Sequence, residues 1–250
     1  QASPEAIAQA ALDSGAKSVA FTYNDPVIFL EYAVDVAAAC RDVGVKTVAV
    51  TAGYIGEGAR PEFFGAMDAA NIDLKGFTED FYRKLCTASL ESVLETLLYV
   101  KHETDTWLEI TTLLIPGEND SSHEIGALSE WVAEKLGPDV PLHFTAFHPD
   151  WRMRNISATP AATLKRARDI AGSAGLRYVY TGNIRDAAGQ STYCHACGAS
   201  LIGRDGYAIT SWGLDATGHC ASCGEICAGA FRPDPDNWGP RRAPLIFAAA

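Results

Sequence analysis

Along most of this chain the apolar residues fall into short blocks of two kinds that take turns. One kind recurs at three- and four-residue spacing, as on a helix with one buried face. The other is a brief continuous apolar run, as in a buried strand. Ser3-Pro4-Glu5 supplies an N-cap and a proline at the first helical position, and the helix it opens runs through AIAQAALDS to Gly15. A strand SVAFT follows at 18–22, then a helix over 27–43 closed by Gly44, then a strand KTVAVT at 46–51. The pattern continues with a short helix at 61–70, a strand NIDLK at 71–75, and helices at 77–85 and 89–102. It ends with a long strand WLEITTLLI at 107–115, a helix at 122–136, a strand at 141–147, a helix at 160–174 and a strand at 176–180. Strict alternation with apolar strands predicts an α/β fold whose parallel sheet is covered by helices. A partial (β/α) barrel is the first expectation and a doubly wound sheet the second.

From about Gln190 the helical periodicity stops, glycine becomes dense and cysteine pairs appear. The expected organisation is a barrel-like domain over 1–188 and a cysteine-rich subdomain with a C-terminal tail over 189–250. The tail PDPDNWGPRRAP reads as a loop or extension.

Composition narrows the function. The chain has 250 residues, 48% hydrophobic and 20% charged, enough for one large domain or a large and a small one. A net charge of -11 argues against nucleic acid or an anionic membrane as partner. No apolar run approaches the roughly 18 residues of a membrane span, and the first residues lack the basic and apolar regions of a signal peptide. A cytoplasmic location is therefore expected. The chain begins with Gln1 almost directly on a helix, which suggests a front that has been trimmed. Of the seven cysteines, Cys40 and Cys86 stand alone. The other five, Cys194, Cys197, Cys220, Cys223 and Cys227, cluster near the end, as metal ligands rather than disulfides.

Ligands in parallel α/β folds bind beyond the carboxyl ends of the strands. Each strand end here is polar. The first gives Tyr23-Asn24-Asp25-Pro26 and the second Thr51-Ala52-Gly53-Tyr54. The third carries Asp73 and Lys75 on one face, the fourth Glu109 and Thr111. The fifth has His143, Thr145 and Phe147 on one face and His148 at its exit. Each has an ordinary reading as well. Asp25 could cap the following helix, Asp73 and Lys75 could be an ion pair at a barrel rim, and His143 a satisfied core histidine. Five polar ends in succession nevertheless read as a site. A lysine on a barrel strand also admits a Schiff-base lyase through Lys75, although Asp73 favours the charged amine that such chemistry must avoid.

The ordered segments TYNDP, VTAGYI, NIDLKGF, LIPGENDSSHE and HFTAFHPDWRM resemble the radical SAM enzymes related to pyruvate formate-lyase activating enzyme. More narrowly, they resemble the radical SAM component of the AmmeMemoRadiSam system. The resemblance implies reductive cleavage of S-adenosylmethionine to a 5′-deoxyadenosyl radical, and hydrogen abstraction from a substrate that could be a protein. It implies that Tyr23, Asn24 and Asp25 face the methionyl ammonium, that Lys75 beside Asp73 meets the methionyl carboxylate, and that His148 faces the nucleoside. It also implies Memo-like and AMMECR-type proteins as companions. The chain departs from the family in having Asp25 for Glu, Ala52 for Asn and Ala146 for Arg. The C-x3-C-x2-C loop that holds the family's [4Fe-4S] cluster is not among these residues. Its ligands are expected upstream, and no catalytic residue is assigned in a chain expected to be inactive by itself.

Cys194-His-Ala-Cys197-Gly198 and Cys220-Ala-Ser-Cys223-Gly224 form two CxxCG knuckles. Their spacing lets four thiolates close a tetrahedron, and the glycines tolerate the turns, so a structural zinc in a zinc-ribbon-like subdomain is expected. His195 and His219 flank the ligands as bystanders; Cys227 is a spare thiol, with an iron–sulfur site as the other reading. Arginines in this region are offset by acids, so no nucleic-acid face is evident. The competing function is a non-catalytic module, a partial barrel with a ribbon that docks protein partners.

Overall fold

The computed structural model describes residues 2–231, 239 and 242–245. Two compact units are distinguished, Gln1–Thr111 with the short segment from Ala243, and Thr112–Arg242. The first holds α1 (Pro4–Asp13), β1 (Ser18–Phe21), α2 (Leu30–Asp42), β2 (Lys46–Thr51), α3 (Arg60–Gly65), β3 (Ala69–Asp73), α4 (Glu79–Phe81) and α5 (Leu90–Glu103). Next comes β4 (Trp107–Leu114), whose first five residues lie in this unit. The second unit continues with α6 (Ser122–Lys135), β5 (Leu142–Ala146), α7 (Ala161–Ser173), β6 (Val179–Gly182) and α8 (Ala187–Gln190). It closes with the small strands β7 (Thr192–Tyr193), β8 (Ser200–Asp205) and β9 (Ala208–Trp212).

β1 to β6 form one six-stranded sheet in the order of the chain, with β1 and β6 at its ends. Pairing is parallel, with Ala20 opposite Val48, Val50 opposite Asn71, Asn71 opposite Glu109, and His143 opposite Tyr180. The order runs in one direction and lacks the reversal of a doubly wound sheet, so that second expectation is set aside.

Local chemistry explains several boundaries. Ser3 Oγ accepts from Ala6 N–H at 3.2 Å and caps α1, while Gly15 leaves it in the left-handed region at φ 72°. Ser121 Oγ accepts from Glu124 N–H and starts α6 in the same way. Elsewhere the structure departs from the sequence pattern. The helix expected over 27–43 is a 3-10 turn, Pro26–Phe29, followed by α2, with the break at Phe29 (φ -132°). The helix expected over 77–85 is a short α turn that passes into a π-helical turn, Tyr82–Cys86, ended by left-handed Thr87. β3 begins at Ala69, inside the segment expected to be helical. Asp68 accepts from Thr47 N–H at 2.8 Å and Ala69 pairs with Val48, so sheet pairing overrides the helical preference of alanine. β6 starts later than expected, at Val179, where pairing with Leu142 begins.

The strands are not apolar on both faces. Ala70, Ile72 and Leu74 are buried on one side of β3 and its extension, while Asn71, Asp73 and Lys75 on the other are half-buried. In β4, Leu108 and Ile110 are buried and Trp107, Glu109 and Thr111 half-buried. One face of β3 and β4 is therefore largely polar.

In the second unit β7, β8 and β9 make an antiparallel three-stranded sheet, strands that the sequence pattern did not show. Its core gathers Cys194, Leu201, Ile202, Leu214, Cys220 and Cys227 around Tyr178, which precedes β6. Tyr178 Oη accepts from Ala228 N–H at 3.0 Å, and the Tyr180 and Thr192 hydroxyls lie 2.9 Å apart.

Candidate functional site

The polar knot after β1 is built around one carboxylate. Asp25 Oδ1 accepts from Val27 N–H (3.1 Å), capping the 3-10 turn, and from the Thr51 hydroxyl (2.8 Å). Its Oδ2 accepts from Ala52 N–H at 2.8 Å. Asp25 thus ties the carboxyl end of β1 to that of β2. Thr51 is buried and its hydroxyl also accepts from Gly53 N–H. Gly53 is required there: its φ is 67°, and a Cβ would stand 2.7 Å from Ile72 Cγ2. Tyr23 and Asn24, just ahead, are exposed, and Tyr23 is left-handed at φ 71°. A tyrosine in that region costs on the order of 1 kcal/mol, a strain that recurs at ligand-binding edges.

One strand over, Lys75 Nζ donates to Asp73 Oδ2 at 2.7 Å, with both side chains over a third exposed. Lys75 N–H donates to the Tyr82 hydroxyl at 3.0 Å. Tyr82 is buried, which pushes its phenol well above the usual range and leaves it a neutral hydrogen-bonding post. Cys86, at the end of the π turn, is raised by burial, while Lys75 acts in the opposite sense. Deeper on the same face, Thr111 Oγ1 donates to Asn71 Oδ1 at 2.8 Å and Trp107 Nε1 to Glu109 Oε1 at 3.0 Å.

His148 belongs to the second unit. It is exposed and opens a loop closed at its base by buried Thr159. Phe147 N–H donates to Thr159 Oγ1 (3.0 Å), and Thr159 Oγ1 donates to the Leu114 carbonyl (2.5 Å). His143 is not isolated in a core, because its ring stacks on Tyr180 at 5.0 Å. The structure therefore joins Asp73 to Lys75, spends Asp25 on its own strand ends, and carries His148 on a separate loop. Tyr82 and Thr51 emerge as supports of this region. Thr51 stood at a strand end in the sequence, but Tyr82 sat inside a helical pattern with no polar signal of its own.

A second cluster lies in the ribbon. The sulfurs of Cys194, Cys197, Cys220 and Cys223 lie within 4.8 Å of one another and could hold a metal ion. The two knuckles repeat one geometry. Gly198 N–H donates to the Cys194 carbonyl (2.9 Å) and Gly224 N–H to that of Cys220 (2.8 Å), with φ of 74° and 78°. Cys194 N–H donates to Ala199 O and Cys220 N–H to Glu225 O, both at 2.8 Å. Cys227 is buried in the ribbon core outside this group, and burial raises its thiol. His195 and His219 face Glu225 and Asp215.

Among solved structures, a domain of pyruvate-formate lyase-activating enzyme from Bacteroides vulgatus shares the fold with a TM-score of 0.59 at 19% identity, covering 66% of this chain and 99% of that one. A radical SAM methyltransferase from Sphaerobacter thermophilus gives 0.55 at 15% identity, covering 74% of this chain and 58% of that one. A curated protein of Methanocaldococcus jannaschii, described as uncharacterized, is 39% identical over 223 residues, 89% of this chain. The chain spans 66% of that relative's length. The radical SAM superfamily matches residues 1–128, the half that carries Asp25, Asp73, Lys75 and the polar face of β3 and β4, and this chain belongs to that superfamily.

Proposed function

We propose that this chain is the greater part of a radical SAM enzyme of the activating-enzyme type. The observation that carries the reading is the polar set at the carboxyl ends of the parallel strands on either side of β2, Asp25 after β1 and Asp73 at the end of β3 with Lys75 just beyond it, inside the matched region. Superfamily membership implies S-adenosylmethionine and an iron–sulfur cluster. The residues present fit the first. Asp25 Oδ2 has an acceptor direction beyond its bond to Ala52, suited to an ammonium, and the Tyr23-Asn24 turn that precedes it in the chain is exposed. Lys75 carries an ammonium, the charge type suited to a carboxylate, and is more than a third exposed beside Asp73. His148 is assigned to the nucleoside by resemblance alone. When bound beside a reduced cluster, S-adenosylmethionine supplies a 5′-deoxyadenosyl radical for hydrogen abstraction, here from a protein substrate with Memo-like and AMMECR-type companions.

The cluster does not fit these residues. Cys40 is buried in α2, Cys86 lies alone, and C-x3-C-x2-C is absent from the 250 residues. The ribbon thiols suit a different metal. Their closest sulfur pairs are 3.6 and 3.7 Å apart, near the about 3.8 Å edge of a tetrahedron with Zn–S bonds of about 2.3 Å. A structural zinc is our assignment for that site.

The test is anaerobic expression of the whole gene product, cluster reconstitution and reduction with S-adenosylmethionine. 5′-Deoxyadenosine is the expected product, and its absence from a cluster-loaded protein would overturn the reading. For this chain alone we expect S-adenosylmethionine to bind no tighter than roughly millimolar, about 4 kcal/mol. A non-catalytic docking module is the second reading, favoured by the three protein donors that Asp25 already satisfies. It predicts a folded chain that captures a protein partner and yields no deoxyadenosine in any metal state.

A further inference from the structure

Within the second unit a cavity of about 310 Å³ lies between the segment that follows β6 and the turn joining β8 to β9. Its walls are held by side-chain amides bonded to main-chain groups. Gln190 Nε2 donates to the Ile184 carbonyl at 2.9 Å, and Gln190 Oε1 accepts from Gly206 N–H at 3.0 Å. One amide thus spans the two walls and holds them in register. The first wall is braced again at Asn183, left-handed at φ 60°, whose Nδ2 donates to the Ala146 carbonyl at the end of β5. The second is a two-residue turn between paired Asp205 and Ala208, left-handed at Gly206 (φ 58°).

The side chains left to meet a ligand are few and complementary. Arg185 lies on one wall and Asp205 on the other. Neither makes an ion pair among the described residues, with each other or with any other group. Ile184 and Ala208 supply apolar surface, and Tyr207 holds its ring out at 76% exposure beside them. A guanidinium is shaped to clasp a carboxylate, and a carboxylate to accept from an ammonium. The cavity is near the lower end of small-molecule sites in size. A chain of net charge -11 repels a simple anion, whereas a zwitterion carries no net charge to be repelled.

We propose that this cavity binds a free α-amino acid, its carboxylate on Arg185, its ammonium on Asp205, and an apolar or aromatic side chain against Tyr207. The ribbon then serves as one wall of a small-molecule site besides holding its metal. The proposal is independent of the cleavage of S-adenosylmethionine.

Calorimetry on the purified, metal-loaded chain, with no S-adenosylmethionine or iron present, tests it. L-Phenylalanine and L-alanine are titrated first, then 2-phenylethylamine, which lacks the carboxylate, and 3-phenylpropionate, which lacks the ammonium. We expect phenylalanine to bind more tightly than alanine and at least tenfold more tightly than either single-charge analogue. Arg185→Gln and Asp205→Asn should each weaken it at least tenfold, while Tyr207→Ala should remove the preference over alanine. No saturable heat with either amino acid up to about 10 mM, or equal binding of the single-charge analogues, overturns the proposal. The analogue series needs only the unmodified chain, so it decides even where a variant fails to fold.

Discussion

Replacing Asp25 with alanine should reveal how firmly one carboxylate holds two strand ends together. The substitution removes the cap on Val27 N–H and the acceptors for the Thr51 hydroxyl and Ala52 N–H, at 3.1, 2.8 and 2.8 Å. A lost N-cap costs about 1 kcal/mol. Each hydrogen bond to a charged group is worth about 1.5–3 kcal/mol when buried. Asp25 is only half-buried, so water would replace part of each bond and about 1 kcal/mol apiece is the better figure. The sum is about 3 kcal/mol, or about 6–12 °C in melting temperature for a chain of this size. Asp25→Asn should cost about half as much. Its Oδ1 keeps Val27 and Thr51, but its amide presents N–H to the N–H of Ala52. Urea unfolding followed by circular dichroism and fluorescence gives the energies, and amide exchange gives the location. Faster exchange at Val27 and Ala52 should exceed any change in α5. A loss below about 1 kcal/mol, or exchange unchanged at both amides, would refute the view that Asp25 is a strut and return it wholly to ligand binding.

Three further outcomes are expected. Cys220→Ser, or complete chelation, should lower bound metal from about one ion per chain and abolish amide protection in β8 and β9, since structural zinc contributes about 10–16 kcal/mol of apparent binding energy; protection that persists in metal-free protein would remove the metal from the ribbon's stability. Tyr178→Phe leaves Ala228 N–H without its acceptor in a buried setting and should cost about 1–2 kcal/mol, measured by urea unfolding monitored at the ribbon, with no loss counting against the contact. At Asp68 burial works to raise the pKa, but Lys46 and the Thr47 N–H outweigh it and hold the carboxyl below its ordinary 3.8. A depressed folded value means that its small stabilisation is present above the unfolded pKa and is lost as pH falls through the folded one. Asp68→Asn should flatten the acid limb of the stability profile below about pH 4, and an unchanged limb would contradict that.

Much of the architecture was legible in residue order alone. Apolar blocks of helical and strand period, with Ser3 as a cap, located most helices and strands, because burial imposes those periods whatever the neighbours are. The CxxCG pairs likewise announced their cluster, since two thiols at that spacing reach one point through purely local turns. Other features depended on partners far along the chain. Ala69 and Ala70 became strand because β2 and β4 flank them, against the preference of alanine itself. Asp25 looked equally fit to cap a turn or to await a ligand, and only the approach of Thr51 and Ala52 showed that its oxygens are largely engaged. Tyr178 and Gln190 carried no signal at all. One became core to the ribbon and the other a brace between β8–β9 and the end of β6, because long-range packing decides which polar atoms meet. Period and local turns are written into neighbouring residues; the pairing of distant donors and acceptors exists only once the chain has folded.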